Sequence, residues 1–248
     1  MKNYNLGLVS VSFREKTPEE ILKEMKTCGL SFIEWGSDIH APCNDIKTIE
    51  NIAVFQKKYG ITCSSYGTYF RLGETPLEEL KIYINAAKIL GTNILRVWCS
   101  NKNSEEHTKE ETKSLFLECK KAAKIAEENG VTLCLECHVN TYTNQKDAAF
   151  ELMQNINSKN FKMYWQPSQY KTSQENIAYA KAIAPYTEHI HVFNWKGEEK
   201  FPLCEAVDIW KQFLDCFSGE RTLLLEFMPD GKLETLKQET TALKEITK

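Results

Sequence analysis

A chain of 248 residues, 42% hydrophobic and 26% charged, has the length of one large α/β domain and an ordinary globular composition. Its formal net charge of −3 excludes a general attraction to nucleic acid or to an anionic membrane face. No apolar run approaches the roughly 18 to 20 residues of a membrane span, and nine scattered cysteines, an odd number, fit a reducing cytoplasm.

In chain order, Leu6–Phe13 predicts a first strand: it is short, carries two serines and meets Arg14-Glu15-Lys16 at once, unlike a signal peptide. Thr17-Pro18-Glu19-Glu20 then reads as a capping box opening a helix over Pro18–Cys28. Strand Phe32–Gly36 and helix Ile46–Tyr59 follow, then strand Ile61–Tyr69. Thr75-Pro76-Leu77-Glu78 reads as a second capping box for helix Leu77–Leu90. After strand Ile94–Cys99, Thr108 and Glu111 open a helix over Lys109–Asn129. The second half continues with strand Thr132–His138, helix Gln145–Asn155, strand Lys162–Gln166 and helix Gln174–Ile183. It ends with strand His189–Trp195, helix Cys204–Phe217, strand Thr222–Phe227 and helix Leu233–Ile246.

Gly29, Gly60, Gly91 and Gly130 each stand between a helix and the next strand, where a left-handed cap turns the chain back. Their near-regular spacing indicates repeated supersecondary units. Strict alternation of eight strands and eight helices predicts a (β/α)8 barrel, one domain over residues 1–248. A doubly wound open sheet is the alternative, but Ser10-Val11-Ser12-Phe13 lacks its G-x-G-x-x-G turn.

Four late strands end by turning a polar group out of an apolar run: Leu133-Cys134-Leu135-Glu136, Trp165-Gln166-Pro167, His189-Ile190-His191 and Leu225-Glu226. Burying carboxylates and an imidazole is costly unless a positive charge pairs with them. In a barrel these strand ends share one rim, so Glu136, Gln166, His191 and Glu226 come within reach of one divalent cation. The donor set suits Mn²⁺ or Mg²⁺, with Zn²⁺ or Co²⁺ as further candidates. Alternation supports the assignment: Cys134, Glu136 and His138 share one face of their strand, Leu133, Leu135 and Cys137 the other. The same rule argues against a redox or zinc pair at Cys134 and Cys137, which point to opposite faces.

Leu-Glu-x-His at 135–138, His-x-Phe at 191–193 and Leu-Glu-Phe at 225–227, in this strand order, resemble the xylose-isomerase-like barrels. That family includes sugar isomerases, ketose 3-epimerases, inosose dehydratase and endonuclease IV, and the resemblance covers essentially the whole chain. It implies one divalent metal at Glu136, Gln166, His191 and Glu226. In the epimerase branch the two glutamates also serve as acid and base, which here implies Glu136 and Glu226. The family has Asp where this chain has Gln166, and often a substrate-contacting His where it has Gln169. One negative charge fewer lowers metal affinity and leaves a retained ion more electron-withdrawing.

The expected chemistry is aldose–ketose isomerisation or epimerisation of a small sugar or sugar phosphate through an enediolate. Trp35, Trp98, Phe193 and Trp195 are candidates for the apolar wall. Arg96, His138 and Lys196 are candidate hydroxyl or phosphate anchors, with Gln169 beside them. A lyase on the same site expels a β-hydroxyl from the same enolate. A non-catalytic sugar binder is a further reading, motivated by the two glutamines. Phosphoester hydrolysis needs more His and Asp ligands than five histidines supply, and His107 stands at a helix start far from any strand end.

Other polar residues read more plainly. Glu34 and Asp38 hold the rim or bond Arg96, His189 is a core histidine, and His40 on the next loop is either a substrate contact or a solvated side chain. No nucleic-acid or membrane partner is expected, and assembly into a homo-oligomer is left open.

Overall fold

Helix ends follow the local chemistry. Thr17 caps α1 (Pro18–Cys28): its side chain accepts from the Glu20 N–H, and the Glu20 carboxylate accepts from the Thr17 N–H at 2.8 Å. Losing such a cap costs about 1 kcal/mol. Thr108 and Glu111 repeat the box before α4 (Lys109–Asn129), and Thr172 and Glu175 before α6 (Ser173–Ile183). The Thr75 box does not form. Thr75 Oγ1 instead accepts from the Arg71 N–H, and the chain makes a 3-10 turn over Leu77–Glu79 before α3 (Leu80–Leu90). Gly29, Gly60, Gly91 and Gly130 are all left-handed, with φ of 75°, 67°, 84° and 67°.

A computed structural model describes residues 3–248; Met1 and Lys2, part of the expected domain, lie outside them. Eight parallel strands close on themselves: β1 (Asn3–Val9), β2 (Phe32–Gly36), β3 (Thr62–Leu72), β4 (Ile94–Cys99), β5 (Thr132–Glu136), β6 (Phe161–Trp165), β7 (Thr187–Val192) and β10 (Glu220–Leu225). Around the barrel the order is β1-β10-β7-β6-β5-β4-β3-β2, and the seam pairs Asn3–Leu8 with Glu220–Leu225. The remaining helices are α2 (Ile46–Tyr59), α5 (Lys146–Ile156), α7 (Val207–Leu214) and α8 (Leu236–Ile246). An antiparallel hairpin of β8 (Trp195–Lys196) and β9 (Glu199–Lys200) interrupts the alternation after β7. The protein is a single-domain (β/α)8 barrel.

The main core lies between strands and helices, where Ile33, Leu95, Leu133, Leu135, Ile190 and Leu223 are buried. A small second cluster, Val9, Val11, Cys134, Tyr164 and Leu224, fills the barrel itself. Cys134 and Cys137 therefore sit in different cores, and all nine cysteines are free thiols. Among the described residues no helix is long and apolar enough to cross a membrane.

Several expectations change here. Strand one ends at Val9, not Phe13, because Ser10–Phe13 winds into a 3-10 turn whose Ser10 Oγ accepts the Gly36 N–H. Trp35, expected in the substrate wall, is fully buried and donates its indole N–H to Gln56 Oε1 on α2 at 2.7 Å. Alternation explains this: Glu34 faces the barrel interior, so Trp35 faces the helices. Asp38 bonds Arg14 and not Arg96. His107 is not remote from the strand ends, since its Nε2 lies 2.9 Å from the hydroxyl of Ser100, one residue past β4.

His40 is neither solvated nor in the active-site cavity. It is buried, with Nδ1 3.1 Å from Ser10 Oγ and Nε2 3.1 Å from the Lys16 carbonyl. Burial outweighs those bonds and holds its pKa below the ordinary 6.5. The folded state therefore binds this proton less readily than the unfolded chain does. The stability it contributes is present above pH 6.5 and lost as pH falls through the folded pKa. Melting temperatures across this range should fall less on acidification for His40→Gln than for the parent; parallel curves would refute the assignment.

Candidate active site

The C-terminal mouth of the barrel gathers the four expected ligands. His191, at the end of β7, is fully buried, and its Nδ1 is the hub. Gln166 Oε1 lies 2.9 Å from it, Glu226 Oε2 3.4 Å and Glu136 Oε1 3.5 Å. Candidate ligand atoms of Glu136, His191 and Glu226 all fall within 4.8 Å of one another. Donor atoms gathered this closely are within reach of a single divalent ion.

Behind this group lies a buried ion-pair network. Arg96 on β4 donates from Nε to Glu34 Oε1 at 2.8 Å and from Nη1 to Glu136 Oε2 at 2.6 Å. The Trp98 indole N–H also donates to Glu136 Oε2, and Ser65 Oγ donates to Glu34 Oε2 at 3.0 Å. Glu34 Oε2 in turn lies 3.5 Å from His191 Nε2. A carboxylate on the far nitrogen fixes ring orientation and favours the tautomer whose near nitrogen is free to ligate.

Charge balance tests whether a cation fits. Glu34, Glu136 and Glu226 are buried together with one guanidinium, Arg96. A divalent ion with a neutral imidazole brings that set to neutrality. With no ion, His191 takes up charge instead: burial alone would lower its pKa, but Glu226, Glu34 and Glu136 drive it up to about 10. The residues present fit a divalent metal.

The carboxylates divide by environment. Burial would raise Glu34, yet Arg96 and His191 hold it at about 2. Burial also acts on Glu136, but Arg96 and His191 hold it well below the usual carboxylate range. Glu226 goes the other way, raised by burial and by the charge of Glu136 despite His191. No hydrogen bond to its carboxylate is present among the described residues. Environments that push two carboxyl pKa values apart prepare one to stay ionised and the other to exchange a proton.

A cavity of about 70 Å³ opens onto Glu136, Gln166 and Glu226, walled by His138, Gln169, Phe193, Trp195 and Phe227. Trp98 stacks on His138, ring centroids 5.3 Å apart. Arg96, a candidate substrate anchor, is engaged by two carboxylates. Lys196 is exposed on β8 and lines a neighbouring cavity, not this one.

Glu34, expected to hold the rim or bond Arg96, does bond Arg96, while its approach to His191 was not foreseen. Sequence reasoning missed two further supports. Phe227, part of a motif but given no role, holds φ at +56°, a strained setting for a bulky residue, and its N–H donates to Ser12 Oγ. Gly67 on β3 is needed for space. A Cβ there would stand 2.6 Å from Glu34 Oε1 and 2.8 Å from Arg96 Nη2. Overpacking of this kind costs about 1–3 kcal/mol, so Gly67→Ala should lower the melting temperature by roughly 2–12 °C. An unchanged melting curve would show that the ion pair has room to yield.

Comparison with solved structures places this geometry among known folds. A probable 3-DHS dehydratase from Bacillus anthracis, AsbF, involved in petrobactin synthesis, is similar at a TM-score of 0.79 and 17% identity, over 98% of this chain and 99% of that one. A D-psicose 3-epimerase from Clostridium cellulolyticum H10, crystallised with D-tagatose, gives 0.70 and 13% over 98% of each chain. A barrel protein from Mycobacterium smegmatis in complex with magnesium gives 0.68 and 13%, over 98% and 96%. Among curated proteins no sequence match is found. The family model described as "Xylose isomerase-like TIM barrel" matches residues 22–239, nearly the whole barrel, and the chain therefore belongs to that family.

Proposed function

We propose that the protein is a divalent-metal-dependent sugar or sugar phosphate isomerase or epimerase, working by proton transfer next to a carbonyl. The observation that carries this reading is the convergence of Gln166, Glu136 and Glu226 on His191 Nδ1 within 3.5 Å. A bound divalent cation supplies Lewis-acid polarisation of adjacent carbonyl and hydroxyl oxygens, which acidifies the C–H between them. Glu136, Gln166, His191 and Glu226 would hold it, with Glu34 orienting His191.

Glu226 takes the proton, because it faces the cavity and no hydrogen-bond donor occupies its carboxylate among the described residues. Glu136, held ionised by Arg96 and Trp98, faces the same cavity and serves the return step. Phe193, Trp195 and Phe227 exclude water from the enediolate. His138 and Gln169 line the same wall and hold substrate hydroxyls.

A second reading, dehydration on the same site, is favoured by the asymmetry of the two glutamates. Strong donors weaken Glu136 as a base, and elimination needs one good base and a departing hydroxyl, not two matched bases. Metal analysis combined with solvent-deuterium incorporation over a ketose panel tests both. One ion per chain with exchange and unchanged composition supports the isomerase; loss of water from the product supports the lyase. No exchange in the metal-loaded protein would overturn both.

A further inference from the structure

Beside the catalytic cavity lies a second one of about 150 Å³, and the two share Gln169, Phe193 and Trp195 as a common wall. The catalytic cavity carries the carboxylates. The second has none in its lining and presents Lys171, Lys196, Ser168, Ser173 and Asn194. Among the described residues neither lysine makes an ion pair. Lys171 Nζ donates to the neutral amide of Gln145 at 2.6 Å, and Lys196 Nζ stands 4.9 Å from the centre of the Phe201 ring. Both contacts place an ammonium without neutralising it.

The nearby acids are Glu175, which Lys171 also acts on electrostatically, Glu198, and Glu199, which stands opposite Lys196 in the hairpin but makes no ion pair with it among the described residues. Glu198 accepts from the Tyr170 hydroxyl, and Glu175 caps Thr172. That cap also occupies the start of α6, leaving the lysines as the main source of positive potential. Trp195 adds an independent sign: its buried indole N–H, a group that can only donate, has no partner. Two lysines without ion pairs, in a lining that holds no carboxylate, match an acceptor-rich anion.

We propose that this second cavity is a subsite for an anionic end-group of the substrate, a phosphate ester or a carboxylate, whose carbonyl end sits in the catalytic cavity. The inference rests on the sugar-converting reading above and narrows its substrate class to an acidic sugar derivative. Separating the subsite from Glu136 and Glu226 explains how an acidic interior can accept an anion. The shared residues Gln169 and Trp195 then span the neutral middle of the molecule.

Two measurements test it. Calorimetric titration of the metal-loaded protein with inorganic phosphate should give saturable binding, weakened about tenfold or more in Lys171→Ala/Lys196→Ala. Equal binding by both proteins, or none by the parent, overturns the subsite. Deuterium exchange is then compared across neutral ketoses, ketose phosphates and keto-aldonic acids. A tenfold or greater preference for one anionic class, lost in the double variant, supports the proposal and identifies the group; a preference the variant retains, or none, overturns it. Absence of exchange with every compound would overturn the function proposed above while the phosphate titration still judged the subsite. Circular dichroism of the variant checks its folding, in which these half-buried and exposed lysines take little part.

Discussion

Glu226→Gln should lower solvent-deuterium exchange by about 10²–10⁴-fold, the range expected when a positioned acid or base is removed. The substitution keeps the shape of a buried side chain and removes its charge and its capacity to hold a proton. Folding should therefore survive, and the melting curve reports that. Because Glu226 is also a candidate ligand, metal content must be measured alongside. Gln166 already places an amide at one corner of this donor set, so a second amide need not empty it. A variant that keeps its ion and loses exchange isolates the proton-transfer role. One that retains exchange removes Glu226 from the mechanism.

Arg96→Met should destabilise the fold by about 3–5 kcal/mol, the usual consequence of deleting one partner from a buried ion pair. Glu34 and Glu136 are both buried, and Arg96 donates to each of them. Without the guanidinium two carboxylates face a dry interior with only His191 as counterion. For a domain of this size the melting temperature should drop by roughly 6–20 °C. Adding Glu34→Gln should recover part of the loss, since it removes one of the uncompensated charges. A single variant as stable as the parent would show that water enters the barrel and screens the pair.

The four candidate ligand positions were legible because each combines an apolar run with one ionisable or amide side chain at its end, and the structure brings those side chains together. Glycine caps at 29, 60, 91 and 130 made the repeat visible through backbone geometry that residue type largely decides. Trp35 was misplaced because strand position was weighed and side-chain parity was not; inward Glu34 dictates outward Trp35. Thr75 was misplaced because a capping motif competes with any other donor nearby, and the Arg71 N–H takes its hydroxyl. The β8–β9 hairpin carries only Gly197 as a signal, with φ of +58° at its two-residue turn. Of the Arg96 network the sequence suggested the Glu34 contact but not the link to Glu136. Glu34, Arg96 and Glu136 are 62 and 40 residues apart along the pairs they form, and only barrel closure brings them together.

That closure also orders events during synthesis. The β1–β10 seam joins the earliest strand to the latest one, and Glu226 follows directly after β10. A nascent chain on the ribosome can cap its early helices and pair its first strands, yet it presents an unfinished ligand set until residue 226 has emerged. A cation held by these residues would thus load late, and a chain stopped before that seam would lack both Glu226 and the strand that closes the barrel.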